Sequence, residues 1–451
     1  MRQAVNSHRT RRGAVLAVVI WAVAIAAVVV AGAQVLSWRQ ATLGAEALGR
    51  VQARWAARAG VETMLAIMEY HTEHPSADDL MGLVRDLENH SFGEVETGSF
   101  DIRHFRDGVE WAGPFDEHSL MNINRVAKAE LLNAPDMSPD VADAIMDWRD
   151  SNDEEEATGA ERDYYSGRGM TYEPRNADFR TIGELELVAG CWPELVRGED
   201  WNLNHRLDAT EDDGSATWPD DRSDGKLSAG WSGLFTASSR TTALAPSGEP
   251  RLNLRQATPD EIAQRTGISS VQAESVAAWA KGGSSTMEQL LTTPIESLGT
   301  PASNSSGRTG RSSGGSQRTS GSTLPVATLR KLYNECTLDD LSRPMAGRMN
   351  INTASPSVLE EVLDLNGRLV DTIVARRDAQ PEGLSSVVDL LDVDGMTPQT
   401  LSSIAKHLDV VSSVFSITSR GRAKSTGAEV EMYVVVDRST LPARILEYRE
   451  R

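Results

Sequence analysis

The chain has 451 residues, about three times the length of a typical single domain, so we expect two or three folded units. Its 45 basic and 65 acidic residues give a formal net charge of -20, which repels phosphate backbones and disfavours general nucleic-acid binding. The two cysteines, Cys191 and Cys336, lack C-x-x-C spacing, which excludes a disulfide framework and a thiolate zinc site, while a single bridge between them stays open.

The first predicted element is a helix with a long apolar beginning. No charged side chain occurs from Gly13 through Trp38, and the run from Ala14 to Leu36 is long enough to cross a bilayer, which takes ~20 helical residues. Four arginines precede this run, so the positive-inside rule predicts a cytoplasmic N-terminus and an extracytoplasmic remainder. A secretory signal peptide is the alternative, but its apolar core is only ~7–15 residues long.

The helix is predicted to continue well beyond the apolar run. The segment SWRQATLGAEALGRVQARWAARAGVETMLAIMEY is rich in helix-forming residues, and no proline occurs before Pro75. Ala14 to Tyr70 therefore reads as one rod of about 85 Å at ~1.5 Å per residue. Its first half is apolar and its second half is amphipathic. A simple membrane anchor does not require that second half.

The N-terminal features resemble a type IV prepilin-class signal: basic residues, Gly13, an apolar helix from the next residue and an amphipathic extension. In that class a prepilin peptidase cleaves after the glycine, and the helices pack side by side as a filament core. The resemblance implies cleavage between Gly13 and Ala14. Most members carry glutamate at the fifth mature position, which is Val18 here. A minor pseudopilin at the filament tip typically lacks that glutamate, and the chain resembles the general secretion pathway protein K family of type II secretion.

Three copies of one motif follow. MNINRVAKAELLNAPDMSPDVADAIMDWRD from Met121 aligns without gaps with MNINTASPSVLEEVLDLNGRLVDTIVARRD from Met349, and LNLRQATPDEIAQRTGISSVQAESVAAWAKG from Leu252 shares their apolar positions. The apolar spacing in each copy predicts two amphipathic helices that flank a turn. The copies resemble the helix-hairpin-helix motif, which points the backbone N–H groups of a glycine hairpin at a DNA phosphate.

The hairpin glycines of that motif are mostly replaced. The two glycine positions are occupied by Asp136 and Ser138 in copy one, Gly267 and Ser269 in copy two, and Asp364 and Asn366 in copy three. An aspartate at the phosphate-facing end is electrostatically unfavourable for DNA. We therefore expect the motif to have a structural use, with DNA binding as the alternative.

Strand patterns occur before and after the repeats. SFDIRHFRDGVEWAG alternates around an Asp-Gly turn, and the C-terminal SVFSITSRGRAKSTGAEVEMYVVVDRSTLPARILEYRER predicts two or three more strands. One small antiparallel sheet is thus divided by roughly 300 residues, which indicates a sheet domain with a large insertion. The predicted fold class is α+β: a pilin-like fold, with a long N-terminal α-helix packed on a small antiparallel sheet, and a large inserted α-helical domain containing helix-hairpin-helix-like repeats. The resemblance to protein K implies the same architecture.

The domain boundaries follow from these patterns and from two linkers whose composition cannot form a core. They are a leader (1–13), the transmembrane part of the helix (14–36), the first part of the pilin-like domain (37–120), helical repeat 1 with an acidic loop (121–208), an acidic linker and connecting strand (209–250), helical repeat 2 (251–300), a Ser/Gly-rich linker (301–323), helical repeat 3 (324–411) and the C-terminal strands (412–451).

The acidic loop DWRDSNDEEEATGAERDYY suggests a cation site. It contains eight carboxylates, and calcium takes 6–8 oxygen ligands at flexible geometry. An EF-hand register from Asp150 fails because Glu155 occupies the position that requires glycine. The family resemblance independently implies calcium in this region. We predict Asp150, Asp153, Glu161 and Asp163 as ligands, and the alternative is a solvated acidic loop.

Nothing in the sequence indicates an enzyme. There is no nucleophile–base constellation, no Gly-rich phosphate loop and no H-E-x-x-H spacing, and a G-x-S-x-G match at 310–314 lacks the strand and helix that this motif needs. We predict a minor pseudopilin at the tip of the type II secretion pseudopilus, which helps initiate its assembly for export of folded proteins across the outer membrane. The alternative is a membrane-anchored helix-hairpin-helix protein of DNA binding or uptake.

The prediction also specifies partners and location. The resemblance implies contacts with other minor pseudopilins in a tip complex, with the major pseudopilin and with the prepilin peptidase. The chain is expected in the inner membrane as a single-pass protein with a cytoplasmic N-terminus and a periplasmic C-terminal domain. No nucleic-acid partner is expected.

Overall fold

The computed structural model describes residues 8–294 and 324–451, so the Ser/Gly-rich linker, its G-x-S-x-G match and the first seven residues of the leader lie outside the described residues. The strands are β1 (Phe92–Val95), β2 (Gly98–Arg106), β3 (Val109–Ala112), β4 (Phe115–Asp116), β5 (Met121–Asn122), β6 (Phe235–Thr236), β7 (Leu252–Asn253), β8 (Cys336–Thr337), β9 (Met349–Asn350), β10 (Leu408–Asp409), β11 (Val414–Ala423), β12 (Glu429–Asp437) and β13 (Arg444–Glu450).

The α-helices are α1 (His8–Glu73), α2 (Gly82–Asn89), α3 (Lys128–Leu131), α4 (Pro139–Arg149), α5 (Arg162–Gly167), α6 (Pro193–Arg197), α7 (Pro259–Thr266), α8 (Ser270–Ala280), α9 (Gln289–Thr292), α10 (Val326–Glu335), α11 (Gly367–Asp378) and α12 (Pro398–Ile404). Short 3₁₀ turns cover Glu117–Ser119, Ile182–Leu187, Gly230–Gly233, Val387–Asp392 and Ala405–His407, and Val358–Val362 forms a π-helical turn.

The predicted long helix is confirmed as one uninterrupted element. Helix α1 has 66 residues, a length of roughly 100 Å at ~1.5 Å per residue. In its second half a stripe of small and apolar side chains is buried against the sheet: Ala53, Ala57, Val61, Met64 and Met68. Their spacing of three or four residues is that of one helix face. The amphipathic extension therefore exists to pack on the sheet.

Glycines allow α1 to lie unusually close to the sheet. A Cβ on Gly421 of β11 would collide with the backbone of Ala53 and Ala57 on the helix. A Cβ on Gly60 of the helix would likewise collide with Ser419 and the ring of Phe100. Only glycine permits this distance, because any side chain at either position would push the helix away from the strands.

The predicted sheet, divided in the sequence, is confirmed. Its strand order is β1-β2-β11-β12-β13, all antiparallel, with β3 paired to β2 and β4 paired to β11. Strand β2 lies before the insertion and β11 after it, and they pair with Ile102 opposite Ser419. The predicted Asp-Gly turn joins β2 to β3: Asp107 and Gly108 have φ of +51° and +70°, as a two-residue type I′ hairpin requires.

Each of the three repeats closes on itself through a short parallel strand pair. Met121 lies opposite Phe235, Leu252 opposite Cys336, and Met349 opposite Leu408. The asparagine that follows each opening residue, Asn122, Asn253 or Asn350, accepts a hydrogen bond from the N–H two residues later. This turn explains why asparagine recurs at that position.

The three parallel strand pairs also define where each repeat begins and ends, and these limits differ from the sequence-based boundaries. The repeats run over 121–236, 252–337 and 349–409. The prediction assigned residues 324–335 to repeat 3. Helix α10 packs against the 3₁₀ turn Val387–Asp392 of that repeat, where Arg330 pairs with Asp389, and also against α7, and it leads directly into β8, which closes repeat 2. Residues 209–236, predicted to be a linker and connecting strand, include the strand that closes repeat 1.

The predicted helical repeats share one continuous core that is separate from the core between α1 and the sheet. Equivalent arginines support it in repeats 1 and 3. Arg149 donates to the carbonyls of Ile123 and Val126, and Arg377 donates to those of Ile351 and Ala354, at equivalent positions of the alignment. These arginines therefore join the second helix of each repeat to its opening turn.

A buried polar network fixes the helical domain to the sheet. The Asp116 carboxylate accepts hydrogen bonds from Thr353 (2.5 Å) and Ser412 (2.6 Å), and Glu117 accepts from Thr236 and Ser416. Asp116 is the last residue of β4 and Glu117 follows it, whereas Thr236 and Thr353 belong to repeats 1 and 3. Glu117 thus holds repeat 1, and the adjacent Asp116 holds repeat 3.

The cysteine pair left open by the sequence is present as two free thiols. Both Cys191 and Cys336 are buried, and burial raises the pKa of each thiol to about 12. Neither thiol is therefore ionised or reactive at neutral pH.

Candidate functional site

The apolar half of α1 extends away from the folded body. From Ala14 through Trp38 every side chain is exposed, whereas burial begins at Gly49. The helix is long and apolar enough to cross a membrane. An apolar surface of this size is not stable in water, so it must be covered by lipid or by other helices.

The predicted processing residues lie at the beginning of this exposed part. Gly13 and Ala14 are both inside α1, and Val18 is exposed one turn later. The helix therefore continues through the predicted cleavage position, and cleavage between Gly13 and Ala14 stays a prediction. Val18 is 68% exposed and lies among other exposed apolar side chains of the helix.

The hairpins of the three repeats have the backbone conformation that the motif normally obtains from glycine. Asp136, Gly267 and Asp364 occupy equivalent positions and have φ of +58°, +72° and +53°. Aspartate is one of the few residues that tolerates this left-handed conformation. The three hairpins thus have the same backbone conformation even where glycine is replaced by aspartate. The residue types alone did not show this.

The electrostatics of the hairpins disfavour a phosphate ligand. Asp136 and Glu361 of repeats 1 and 3 line the same open groove of about 700 Å³. Neither carboxylate forms an ion pair with any residue that the structure describes. Glu361 also has a raised pKa, because it is partly buried and lies near the carboxylates of Glu360 and Asp107. A DNA backbone would meet negative charge at this surface.

The acidic loop is organised around a buried carboxylate that the sequence did not single out. Asp147, on α4, is fully buried and accepts hydrogen bonds from the N–H groups of Glu156 (3.0 Å) and Ala160 (2.7 Å). A Cβ on Gly159 would collide with this carboxylate, so the loop can wrap around it only with glycine there. Burial raises the pKa of Asp147. Asp147 therefore holds the loop against α4.

Glu161 is the group in the loop that most clearly lacks a partner. Its side chain is 5% exposed, and neither carboxylate oxygen has a hydrogen-bond partner. Burial, followed by the charges of Asp147, Asp150 and Asp153, raises the pKa of Glu161 to about 7. The backbone N–H of Arg162 acts in the opposite direction and lowers this pKa. A buried carboxylate of this kind is costly unless a cation compensates it.

Two of the predicted calcium ligands, Asp150 and Asp153, act electrostatically on a third, Glu161. Asp150 ends α4 and Asp153 lies in the exposed loop, and both are close enough to raise the pKa of Glu161. Asp163 is exposed in the first turn of α5 and is not among the charges that act on Glu161. Within residues 8–294 and 324–451, no group of three or more His, Cys, Asp and Glu side chains is arranged so that it could hold a metal ion. What suits calcium in the loop is its chemistry: the carboxylate oxygens are hard ligands, and those of Glu161 have no hydrogen-bond partner.

Asp147 could have been found from the repeats. The equivalent positions in copies two and three are Ala278 and Ala375, so an acidic residue at this position is peculiar to repeat 1. Repeat 1 is also the copy with the acidic loop. The combination indicates a residue that serves this loop and not the helix-hairpin-helix fold.

Comparison with known proteins agrees with these features. Residues 118–198 match the model of protein K of the type II secretion system (T2SS), and residues 346–409 match the helix-hairpin-helix motif. The resemblance drawn from the sequence is confirmed over these segments. The fold is similar to a chain in the crystal structure of the GspK-GspI-GspJ complex from the enterotoxigenic Escherichia coli Type 2 Secretion System, with 13% identity, a TM-score of 0.42, and coverage of 89% of this chain and 96% of that chain. No curated protein sequence matches the chain.

Proposed function

We propose that this chain, which resembles protein K of type II secretion over residues 118–198, is a minor pseudopilin at the tip of a pseudopilus and helps initiate pseudopilus assembly. In this role it supports export of folded proteins across the outer membrane. The function is structural, and no catalytic step is assigned to any residue. The alternative of a DNA-binding or uptake protein is not favoured, because the hairpins carry aspartates beside an acidic groove.

The observation that carries the proposal is the division of α1. One continuous helix is fully exposed and apolar from Ala14 to Trp38, and then packs its other half on a sheet that bears the inserted repeats. Before assembly, lipid covers the exposed half. In a filament, the same surface packs against the helices of other subunits. The apolar half of α1 is thus both a membrane anchor and a packing surface.

Val18 supports the tip position within the filament. In subunits that carry it, a glutamate at the fifth mature position neutralises the N-terminal amine of the preceding subunit. A carboxylate without such a partner is costly in an apolar environment. A subunit at the first position has no amine above it to neutralise. Valine is the residue expected there.

The same proposal gives the location and the partners. The arginines before Gly13 orient the helix with its N-terminus in the cytoplasm, so the sheet and the repeats lie in the periplasm. The protein to which this fold is similar was crystallised with GspI and GspJ. We propose that other minor pseudopilins contact this chain in a tip complex, that the major pseudopilin continues the filament, and that a prepilin peptidase processes the chain in the inner membrane.

We also propose that calcium binds in the acidic loop. Glu161 supplies two buried oxygens without partners, and Asp150 and Asp153 supply nearby carboxylates. A cation there would compensate the charge that burial makes unfavourable and would hold the loop on α4. Magnesium should substitute poorly, because it requires a tight octahedron and loses its waters reluctantly.

The experiment that tests the tip position is end-labelling of filaments. Gold-labelled wild-type protein is expected at one end of each pseudopilus, seen by electron microscopy. A Val18→Glu variant, which carries the glutamate of ordinary subunits, should also occur along the filament. The matched control is Val19→Glu, in which the same charge lies one position away and has no amine to pair with. Wild-type label distributed along filaments would contradict the tip position.

A further inference from the structure

Strand β13 forms an open edge of the sheet. The strand order ends at β13, and its other side carries no strand within the described chain. Arg451 and Glu431 exchange both backbone hydrogen bonds, which sets the alternation along the β12–β13 ladder. By that alternation Tyr448 and Glu450 point their N–H and C=O groups away from β12. Two residues therefore offer unpaired main-chain groups to a further strand.

Apolar side chains flank this edge on the face that carries α1. Ile445 is 53% exposed and Tyr448 is 51% exposed, and Tyr448 lies opposite Val434 of the core between helix and sheet. On the helix, Trp55 is 59% exposed, next to Arg54, which pairs with Glu450 on the edge strand (2.8 Å). Native edges are usually blunted or covered, so an edge bordered by exposed apolar groups indicates an interface.

A groove borders the same edge on the opposite face. It has a volume of about 470 Å³ and is lined by Leu446 and Glu447 of β13, together with Asp178, Arg180, Arg240 and residues that follow the closure of repeat 1. A residue placed opposite Glu447 on an added strand would point its side chain to this face, because side chains alternate along a strand. The groove would then receive it.

The groove contains positive charge without a partner. Arg240 forms no ion pair with any described residue, and its Nε is buried without an acceptor. The Arg180 side chain is exposed and is likewise not paired in the described part of the chain. A buried guanidinium donor that lacks an acceptor costs free energy, and an incoming carboxylate would satisfy it. The groove also contains the carboxylates of Asp178 and Glu447, so the complementary group is a local one: a carboxylate beside the unpartnered Arg240 guanidinium.

We propose that β13 accepts an extended segment of another protein as an additional antiparallel or parallel strand. In that segment apolar residues alternate with polar ones: the apolar side chains lie beside Ile445 and Tyr448, and an Asp or Glu enters the groove and pairs with Arg240. Main-chain hydrogen bonds at Tyr448 and Glu450 provide the affinity for the added strand, and the groove provides specificity for its acidic side chain. This docking edge is independent of the tip position, since it requires only the sheet and the closure of repeat 1.

The experiment uses the full chain in its native membrane with a photoreactive amino acid at position 446. A matched control places the same group at Phe92, which is similarly exposed on β1 at the other end of the sheet. We expect a cross-link from position 446 and none of comparable yield from position 92. Digestion and mass spectrometry should map the cross-link to a segment with alternating apolar and polar residues and an Asp or Glu.

Two paired substitutions test how the segment is held. Tyr448→Pro removes an outward N–H and Tyr448→Ala keeps it, although both lose the ring. The yield of the cross-link should be at least tenfold lower in Tyr448→Pro than in Tyr448→Ala. Arg240→Glu should abolish it, whereas Arg222→Glu, an exposed charge elsewhere, should leave it unchanged. Melting temperatures within about 1 °C of wild type would show that the variants fold.

Several outcomes would overturn the proposal. The first is a cross-link yield from position 446 that is no higher than the yield from position 92. The second is a cross-link that persists in both Tyr448→Pro and Arg240→Glu. The third is a cross-linked peptide that belongs to a helix of the partner. A cross-link to a second copy of this chain would replace the proposed partner with self-association. The mass of the mature N-terminus, measured on the same preparation, reports separately on the pseudopilin proposal, so the two can fail independently.

Discussion

The unpartnered carboxylate of Glu161 leads to a prediction about stability. Its pKa is about 7 in the folded chain against an ordinary value of 4.5. Each unit of difference corresponds to about 1.4 kcal/mol, so the ionised group costs on the order of 3 kcal/mol at pH 8 without a cation. Glu161→Gln keeps the shape and removes the charge. We therefore expect the calcium-free variant to be more stable than wild type at pH 8.

The pH dependence has a definite sign. Below pH 4.5 the carboxyl is protonated in both the folded and the unfolded state, so wild type and Glu161→Gln should be equally stable. Between pH 4.5 and about 7 the unfolded state releases its proton first, and the wild type loses stability relative to the variant. Above that range the difference should be constant.

Calcium should largely close the stability gap between the wild type and Glu161→Gln. A divalent ion that binds only the folded form adds about 2.7 kcal/mol when its concentration is ~100 times the dissociation constant. This gain is expected for the wild type and should be largely absent in Glu161→Gln, which lacks the central charge. Magnesium at the same concentration should have little effect.

The assay is thermal unfolding of the soluble chain, truncated before Trp38 and treated with chelator, at pH 4.5 and pH 8 with and without millimolar calcium. For a chain of this length 1 kcal/mol corresponds to about 2 °C or less, so shifts of up to about 6 °C are expected. Equal midpoints of wild type and Glu161→Gln at pH 8 would refute the assigned charge cost. An unchanged wild-type midpoint in calcium would reduce the loop to a solvated acidic surface.

Four further predictions concern the loop and the repeats. Replacing both Asp150 and Asp153 with asparagine should lower the calcium response while circular dichroism shows α1 unaffected. Asp136→Gly should stabilise the chain by about 0.5–1 kcal/mol in urea unfolding, because glycine adopts φ of +58° without strain; a loss of stability would contradict this. Arg377→Met leaves the carbonyls of Ile351 and Ala354 without their donor and should cost about 1–3 kcal/mol. Gel shifts at physiological salt should show no DNA binding at micromolar protein.

The elements with strong local patterns could be predicted from the sequence. The long helix, the Asp-Gly hairpin, the strands of the divided sheet and the paired helices of the repeats all follow from periodicity, turn residues and self-similarity. Each depends on interactions between residues close in the sequence, or on a repeat that reveals itself by alignment. The structure confirms the fold class for this reason.

The closure of the repeats could not be predicted in the same way. Strands β6, β8 and β10 are only two residues long and pair with partners 59 or more residues earlier, so no periodic pattern marks them. Their assignment depends on which segments the helices bring together. Helix α10, predicted as part of repeat 3, packs on both repeat 2 and repeat 3, so its own sequence does not assign it to one of them.

The candidate loop was predicted only in part, because burial and not residue type decides its chemistry. Glu161 was among the predicted ligands, and the structure makes it the unpartnered group of the loop. Asp147 was not, since nothing in its immediate sequence distinguishes a buried aspartate from an exposed one. Asp163 fits the composition of the loop but lies exposed on α5, outside the group of interacting charges.

The central claim is that the exposed half of α1 is a processed pseudopilin helix, and the mass of the mature N-terminus tests it most directly. The full chain, expressed with its secretion system and extracted from the inner membrane, should begin at Ala14, one residue after Gly13. A strain without prepilin peptidase should retain the leader. A mature chain that begins near Gln34 would identify an ordinary signal peptide, and retention of Met1 in the presence of the peptidase would identify a simple anchor; either result would contradict the claim.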